Sequence, residues 1–105
     1  MIEVNMTYDL LPDIDQQAYG EFVKKAIATV LRAPGFVEFR ANRNVLGSPQ
    51  VRSTAAWQSL ADWARFTESA EWQALELEFR TFLTNLDVQI WGPSPLVSEP
   101  LRPGK

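Results

Sequence analysis

The sequence contains neither cysteine nor histidine. Without cysteine, the chain cannot form a disulfide framework, a thiolate zinc site, an iron–sulfur cluster or a thiol nucleophile. Without histidine, it lacks the commonest general base, the commonest nitrogen ligand of metals and the Ser-His-Asp arrangement. The five glycines are isolated, so no G-x-G-x-x-G or P-loop pattern is present. The acidic residues on the helices are too dispersed to form a metal cluster, and we expect no metal site.

The charges of the chain are nearly balanced, with 13 acidic and 10 basic residues and a net charge of −3. The basic residues are scattered, which argues against a nucleic-acid or anionic-membrane partner. No segment approaches the roughly 20 consecutive apolar residues that cross a bilayer, and no signal peptide is readable at the N-terminus. We expect a cytoplasmic protein whose partners are small molecules or protein surfaces.

The chain has 105 residues, of which 46% are hydrophobic, and this suits one domain with a single core. Residues 2 to 10 alternate between apolar and polar side chains, the pattern of a strand with one buried face. Asp13 or Asp15 is placed to cap the helix that follows and runs to about Arg32. Pro34 and Gly35 then end that helix.

The second half of the chain repeats the order strand, helix, strand. Extended runs from Phe36 to about Val45 and from residue 50 to 58 flank a Gly- and Pro-containing turn and predict an antiparallel hairpin. A short helix from Ser59 and a longer one from about Ser69 to Leu83 follow, and residues 86 to 91 alternate as a last strand.

The resulting order predicts an α+β domain of the ferredoxin-like, split βαβ type over residues 1–92. We expect a four-stranded antiparallel sheet with the helices on one face. A second copy would cover the other face, giving a homodimeric α/β barrel. Residues 93–105 are rich in proline and predict an extended C-terminal arm, which we expect to lie on the partner subunit.

Three stretches resemble the antibiotic biosynthesis monooxygenase family. They are the PGF turn at 34–36, the third strand ending at Trp57, and the Ser-x-x-Trp element of Ser69 and Trp72. The resemblance covers most of residues 2–92 and implies the dimeric α/β-barrel superfamily. It also implies monooxygenases that oxidise polycyclic phenols or quinols without metal or flavin, heme-degrading enzymes, and proteins of unassigned role.

The cofactor-free monooxygenase hypothesis needs a dry pocket that holds an electron-rich phenol or quinol. It predicts Glu76 and Tyr8 as catalytic residues. The predicted ligand-binding residues are Trp63, Phe66, Trp72 and Asn5. Each has an ordinary alternative, because aromatic side chains at helical spacing usually pack a core and a glutamate on a helix is usually solvated.

The heme-degrading branch of the resemblance requires a histidine iron ligand, a tryptophan and an asparagine. The matching positions here hold Glu76, Phe66 and Asn5, so the first two requirements are unmet and we expect no heme. Two other functions remain open. One is a non-catalytic protein that binds a hydrophobic small molecule or serves as a structural dimer, favoured by the absence of histidine. The other is an isomerase or lyase that uses a buried acid such as Glu76.

Overall fold

The computed structural model describes residues 1–104 and forms a four-stranded antiparallel sheet with three helices. The elements in chain order are β1 (Ile2–Leu10), α1 (Gln16–Leu31), β2 (Phe36–Arg43), β3 (Val51–Trp57), α2 (Leu60–Glu68), α3 (Ala70–Phe79) and β4 (Leu83–Trp91). The strands lie in the order β2-β3-β1-β4. This arrangement confirms the predicted ferredoxin-like α+β fold.

Strand β1 lies in the middle of the sheet and places its apolar side chains toward the helices. Val4 and Tyr8 are buried, and they pair with Ala55 and Val51 of β3. Because side chains alternate along a strand, Asn5 and the other polar residues of β1 point to the opposite face of the sheet. The alternation read from the sequence therefore corresponds to the two faces of β1.

The N-cap of helix α1 is Asp15, one of the two predicted caps, and its carboxylate accepts hydrogen bonds from the backbone amides of residues 17 and 18. Its buried residues are Phe22 and Val30, which lie eight positions apart on one face of the helix. The chain leaves the helix through Gly35, whose φ of +85° is unfavourable for any residue with a Cβ. This turn directs β2 back under the helix.

Ser69 divides the second helical region into two helices. Its backbone N–H donates to Phe66 O at the end of α2, and its hydroxyl accepts from the backbone N–H of Trp72 at the start of α3. The backbone of Ser69 is extended, with φ −68° and ψ 146°, so the chain changes direction there. The change brings Phe66 and Trp72 within 5.3 Å, measured between ring centroids.

The predicted end of the last helix was wrong. Helix α3 ends at Phe79, and Leu83 is the first residue of β4, where it pairs with Leu10 and is buried. The intervening turn is held by the Thr81 hydroxyl, which donates to Glu78 O. Because Leu83 gains both a strand partner and burial, tertiary packing overrides the apolar periodicity that suggested a longer helix.

The face of the sheet away from the helices is polar. Asn5 Nδ2 donates to Thr54 Oγ1 at 2.9 Å, and the Arg40 guanidinium contacts Glu38 on its own strand and Glu3 on β1. Glu38 and Arg40 thus form an ion pair within one strand. Docking of a second copy on this face stays a prediction.

The predicted arm has no helix or strand within residues 93–104, and its residues are exposed. Lys105, the last residue of that arm, lies outside the described residues. Contact between the arm and a partner subunit stays a prediction. Within residues 1–104, no helix has the length and apolar character needed to span a membrane.

Candidate functional site

A cavity of about 100 Å³ lies between the sheet and the helices. It separates two clusters of buried side chains, one built around Tyr8, Phe22 and Phe79, the other around Val4 and Trp57. All five of these residues line the cavity. The core of the domain is therefore divided, and the space between its halves is open to a ligand.

The floor of the cavity consists of three strands. β1 contributes its helix-facing side chains, β2 contributes Phe39, and β3 contributes Ser53, Ala55 and Trp57. These three residues of β3 are spaced two apart and so lie on one face of the strand. Ser53 pairs with Met6 of β1, and Trp57 pairs with Ile2. This register sets the order of the three residues along the floor of the cavity.

The roof of the cavity comes from the three helices and is largely aromatic on one side. Trp63 and Phe66 of α2 and Trp72 of α3, three of the candidate ligand-binding residues of the sequence analysis, line it. Phe66 lies between two indoles, with its ring centroid 5.2 Å from Trp57 and 5.3 Å from Trp72. Aromatic contacts at these separations are favourable and rigid. The opposite side is formed by α1, through smaller side chains such as Ala26.

The indole nitrogen of Trp57 is an unsatisfied donor. Trp57 is 1% exposed, and its Nε1 has no hydrogen-bond acceptor among the described residues. A buried N–H without an acceptor costs free energy and is rare in native proteins. Trp57 lines the cavity through other atoms of its side chain, because Nε1 itself has almost no accessible surface, and a ligand oxygen would reach this nitrogen only if neighbouring side chains move.

Tyr8, a predicted catalytic residue, lines the cavity and is 5% exposed. Its hydroxyl lies 2.8 Å from the hydroxyl of Tyr19 on α1. Burial, together with this hydrogen bond, raises the pKa of Tyr8 well above its ordinary value of 10.0. Tyr8 therefore stays neutral at physiological pH and is available as a hydrogen-bond donor or acceptor, not as a base.

Among residues 1–104, no Asp, Glu, Lys or Arg side chain lines the cavity. Its other hydroxyls are those of Ser53 and Thr67, and the Thr67 hydroxyl donates to Ala64 O at 2.8 Å. Within residues 1–104, no three Asp or Glu side chains gather as a potential metal site. The site is thus an uncharged, apolar cavity, partly open to solvent, with a few hydrogen-bonding groups.

Two of the predicted site residues lie away from this cavity. Glu76 is half-buried at the surface of α3 and pairs with Arg80, four residues later, at 3.7 Å. Asn5 lies on the polar face of the sheet, where it binds Thr54. The structure therefore brings together Tyr8 and the predicted aromatic residues, but it separates them from the carboxylate and from the amide.

Sequence analysis did not assign Trp57 and Ser53 to the site. Trp57 was interpreted only as the end of the third strand, although its position was conspicuous in the resemblance. The available signal was the spacing of residues 53, 55 and 57, which places all three on the same strand face as Val51. Val51 pairs with Tyr8 on β1, so residues 53, 55 and 57 lie on the same face of the sheet as Tyr8.

A family model described as antibiotic biosynthesis monooxygenase matches residues 1–76. The chain belongs to the antibiotic biosynthesis monooxygenase family. The match spans β1 through most of α3 and therefore contains almost every residue that lines the cavity. No curated protein matches the sequence.

Solved structures share the fold of this family member at low sequence identity. SnoaB from Streptomyces nogalater, a cofactor-independent oxygenase, is 13% identical with a TM-score of 0.77, covering 89% of this chain and 92% of SnoaB. HapK from Hahella chejuensis is 15% identical with a TM-score of 0.76, covering 99% of this chain and 100% of HapK.

A third structure shows the same similarity. Rv0793 from Mycobacterium tuberculosis is 14% identical with a TM-score of 0.75, covering 89% of this chain and 94% of Rv0793. At these identities the likeness concerns the fold alone. The chemistry of this member of the family must be argued from its own cavity.

Proposed function

We propose that this protein is a cofactor-independent monooxygenase that binds a small aromatic, quinol-type compound in the cavity between sheet and helices. The observation that carries the proposal is the apolar cavity of about 100 Å³, which is lined by Tyr8 and by the aromatic side chains of Trp57, Trp63, Phe66 and Trp72. Membership of the family and the shared fold with a cofactor-independent oxygenase support it.

The proposed reaction needs no external reductant. A quinol and O₂ give a hydroxyquinone and water: one oxygen atom bonds to a ring carbon, and the other leaves as water with two hydrogens of the quinol. O₂ accepts all four electrons, and the quinol supplies them. The barrier to electron transfer falls once a quinol hydroxyl loses its proton, because the quinolate is the better electron donor.

The residues of the cavity would assist this deprotonation without a charged base. Trp57 Nε1 would donate a hydrogen bond to the developing oxyanion once the side chains that cover this nitrogen shift to admit the ligand oxygen, and such a donor is most effective where water is excluded. Tyr8 would relay the proton: it would receive the quinol proton as its own proton passes to the Tyr19 hydroxyl 2.8 Å away, and the partly exposed Tyr19 hydroxyl would release its proton to solvent. Its raised pKa suits a relay, since no tyrosinate needs to accumulate.

One specific observation favours a second function, binding without catalysis. No carboxylate or amine of the part of the chain that the structure describes borders the cavity, so these residues offer the quinol proton no strong acceptor. Under this alternative the same residues bind an aromatic compound and leave it unchanged. The isomerase or lyase alternative loses its support, because Glu76 lies at the surface beside Arg80.

Oxygen uptake with a panel of one-, two- and three-ring quinols tests the proposal. We expect turnover above the background rate with at least one quinol. In Trp57→Phe we expect turnover to fall by about tenfold to 100-fold, because a ligand oxygen would lose its donor in a buried site. Trp91→Phe is the matched control, since Trp91 is 58% exposed and lies outside the cavity.

The possible results separate the two functions. Background uptake with every quinol, together with binding of the same compounds under nitrogen, would establish the non-catalytic alternative. Equal turnover by the wild type and Trp57→Phe would remove the proposed role of the indole N–H.

A further inference from the structure

We propose that Ser53 holds an oxygen of the aromatic ligand by a hydrogen bond and so determines how the ligand is oriented in the cavity. This role rests on the proposed function, because it concerns the same cavity, and it adds a specificity-determining residue on the floor. It applies equally to a ligand that is oxidised and to one that is only bound.

Ser53 is a polar residue on an apolar face of the sheet. It lies in the middle of β3, where it pairs with Met6 of β1 and Ala41 of β2. Its neighbours on the same strand face are Val51 and Ala55, because side chains alternate along a strand. Ser53 is 8% exposed and lines the cavity. A hydroxyl group is therefore enclosed among apolar side chains on the floor.

The hydroxyl of Ser53 is open to the cavity. It has no hydrogen-bond partner among residues 1–104. Within that part of the chain, Trp57 Nε1 is the one fully covered side-chain nitrogen or oxygen of a non-exposed residue that lacks a partner. The oxygen of Ser53, which also lacks a partner, therefore retains accessible surface. Because Ser53 lines the cavity from its floor, a ligand reaches this oxygen directly.

The other hydroxyl groups of the lining already have partners within the protein. The Tyr8 hydroxyl lies 2.8 Å from that of Tyr19, and the Thr67 hydroxyl donates to Ala64 O at 2.8 Å. Most buried polar groups in proteins are paired in this way. Ser53 thus differs from both in offering its full hydrogen-bonding capacity to a ligand.

The indole N–H groups of the lining fit this role less well. Trp57 Nε1 has almost no accessible surface, and Trp63 and Trp72 are less enclosed than Ser53, since both are only partly buried. An indole nitrogen can only donate, whereas a serine hydroxyl donates or accepts. Ser53 can therefore accept from a quinol O–H and, after deprotonation, donate to the quinolate oxygen.

The fold gives no reason for a hydroxyl at this position. A buried hydroxyl without a protein partner is less favourable than an apolar side chain of the same shape. Ser53→Ala should therefore leave the melting temperature unchanged or raise it, as expected where a residue serves binding at some cost in stability. A structural role for the hydroxyl would have the opposite effect.

The experiment combines removal of the Ser53 hydroxyl with removal of the ligand hydroxyl. Equilibrium dialysis under nitrogen measures the affinities of the wild type and Ser53→Ala for two pairs of compounds, so that oxidation plays no part. The pairs are 4-methylphenol with 1,4-dimethylbenzene and 2-naphthol with 2-methylnaphthalene. Each pair exchanges one hydroxyl for a methyl group, and the two pairs differ in the number of rings.

Two further variants complete the comparison. Ser53→Thr keeps a hydroxyl on the same strand face and should retain the preference for hydroxyl over methyl compounds. Thr67→Val removes a lining hydroxyl that is already bonded to Ala64 O, and it should retain the same preference.

Ser53→Ala should weaken the binding of 4-methylphenol and 2-naphthol by about threefold to tenfold, the effect of one neutral hydrogen bond. The affinities for the two methyl compounds should stay within about twofold of the wild type. An equal loss for hydroxyl and methyl compounds, or no loss for either, would overturn the role of Ser53. A lower melting temperature with unchanged binding would overturn it in favour of a structural role.

The outcomes distinguish the role of Ser53 from the proposed function. The expected loss of binding, without oxygen uptake by any quinol, leaves the role standing and removes the oxygenase. Quinol turnover with equal KM in the wild type and Ser53→Ala supports the oxygenase and overturns the role. If neither hydroxyl compound binds, the role is overturned, and oxygen uptake alone decides the proposed function.

Discussion

The hydroxyl of Tyr8 lies 2.8 Å from the hydroxyl of Tyr19, so that the buried tyrosine of β1 has its partner on α1. Tyr8 is 5% exposed and packs edge-on against Phe79, with ring centroids 5.0 Å apart. Removing Tyr19 would leave this buried hydroxyl unsatisfied. Removing Tyr8 would leave only the Tyr19 hydroxyl, which is partly accessible to water.

We therefore predict an asymmetric effect on the free energy of unfolding. Tyr19→Phe should destabilise the protein by about 1–3 kcal/mol, the cost of an unsatisfied buried polar group, and Tyr8→Phe should cost less. The double variant should cost less than the sum of the single variants. Urea denaturation of the four proteins measures these differences, and additive losses would contradict the coupling.

The raised pKa of Tyr8 also predicts a loss of stability in alkali. The unfolded state releases this proton near the ordinary value of 10.0, whereas the folded state retains it at higher pH. Stability from this group is thus complete below pH 10 and declines as pH rises above it. Tyr8→Phe should show a smaller decline than the wild type in urea midpoints measured between pH 9 and 11.

Gly35 should not tolerate a side chain. Its φ is +85°, and a Cβ there would overlap the side chain of Asp62. Asp62 is held by the Ser59 hydroxyl, which accepts from the Asp62 backbone N–H and donates to the Asp62 carboxylate. Gly35→Ala should lower the free energy of unfolding by about 1–3 kcal/mol. Gly20→Ala is the matched control: it lies within α1 with open space around it and should gain about 0.5–1 kcal/mol. Thermal unfolding of both variants tests the contrast.

Asp9 links three segments of the chain and should support stability above acidic pH. Hydrogen bonds from the Ser48 hydroxyl, Asn85 Nδ2 and the Gln50 backbone N–H lower the pKa of Asp9 below its ordinary value of 3.8. Because the folded state favours the carboxylate, its contribution is present above pH 3.8 and is lost as pH falls below that value.

Asp9→Asn should therefore lower the melting temperature at pH 7, with a difference from the wild type that shrinks toward pH 2. Asp13→Asn removes an equal charge from an exposed position and serves as the control. A constant difference for Asp9→Asn across this pH range would contradict a role of the ionised carboxylate.

Glu76 should be dispensable. Its side chain is 44% exposed, and its ion pair with Arg80 lies at the surface, where such pairs contribute little to stability. Glu76→Gln should leave oxygen uptake and phenol binding unchanged and should alter the free energy of unfolding by less than about 0.5 kcal/mol. A tenfold loss of turnover would show that Glu76 takes part in the chemistry after all.

The fold was readable from local patterns, because each pattern has a local physical cause. Alternation in β1, the apolar stripe of α1 with its cap at Asp15, and the turn at Gly35 follow from the geometry of single elements. The boundary between α3 and β4 was not readable, since Leu83 is decided by its pairing with Leu10 across the sheet. Periodicity alone could not distinguish a buried helix end from a strand start.

The candidate site, like the fold, was predictable from the sequence only in part. The sequence by itself determined which residue types were available: several aromatic side chains, and no histidine or cysteine to perform chemistry. Only the tertiary structure decided that Tyr8, Trp63, Phe66 and Trp72 share one cavity and that Glu76 does not. The register of the strands, the packing of the helices and the break at Ser69 set the directions in which these side chains point. The register and the packing depend on contacts between residues far apart in the chain.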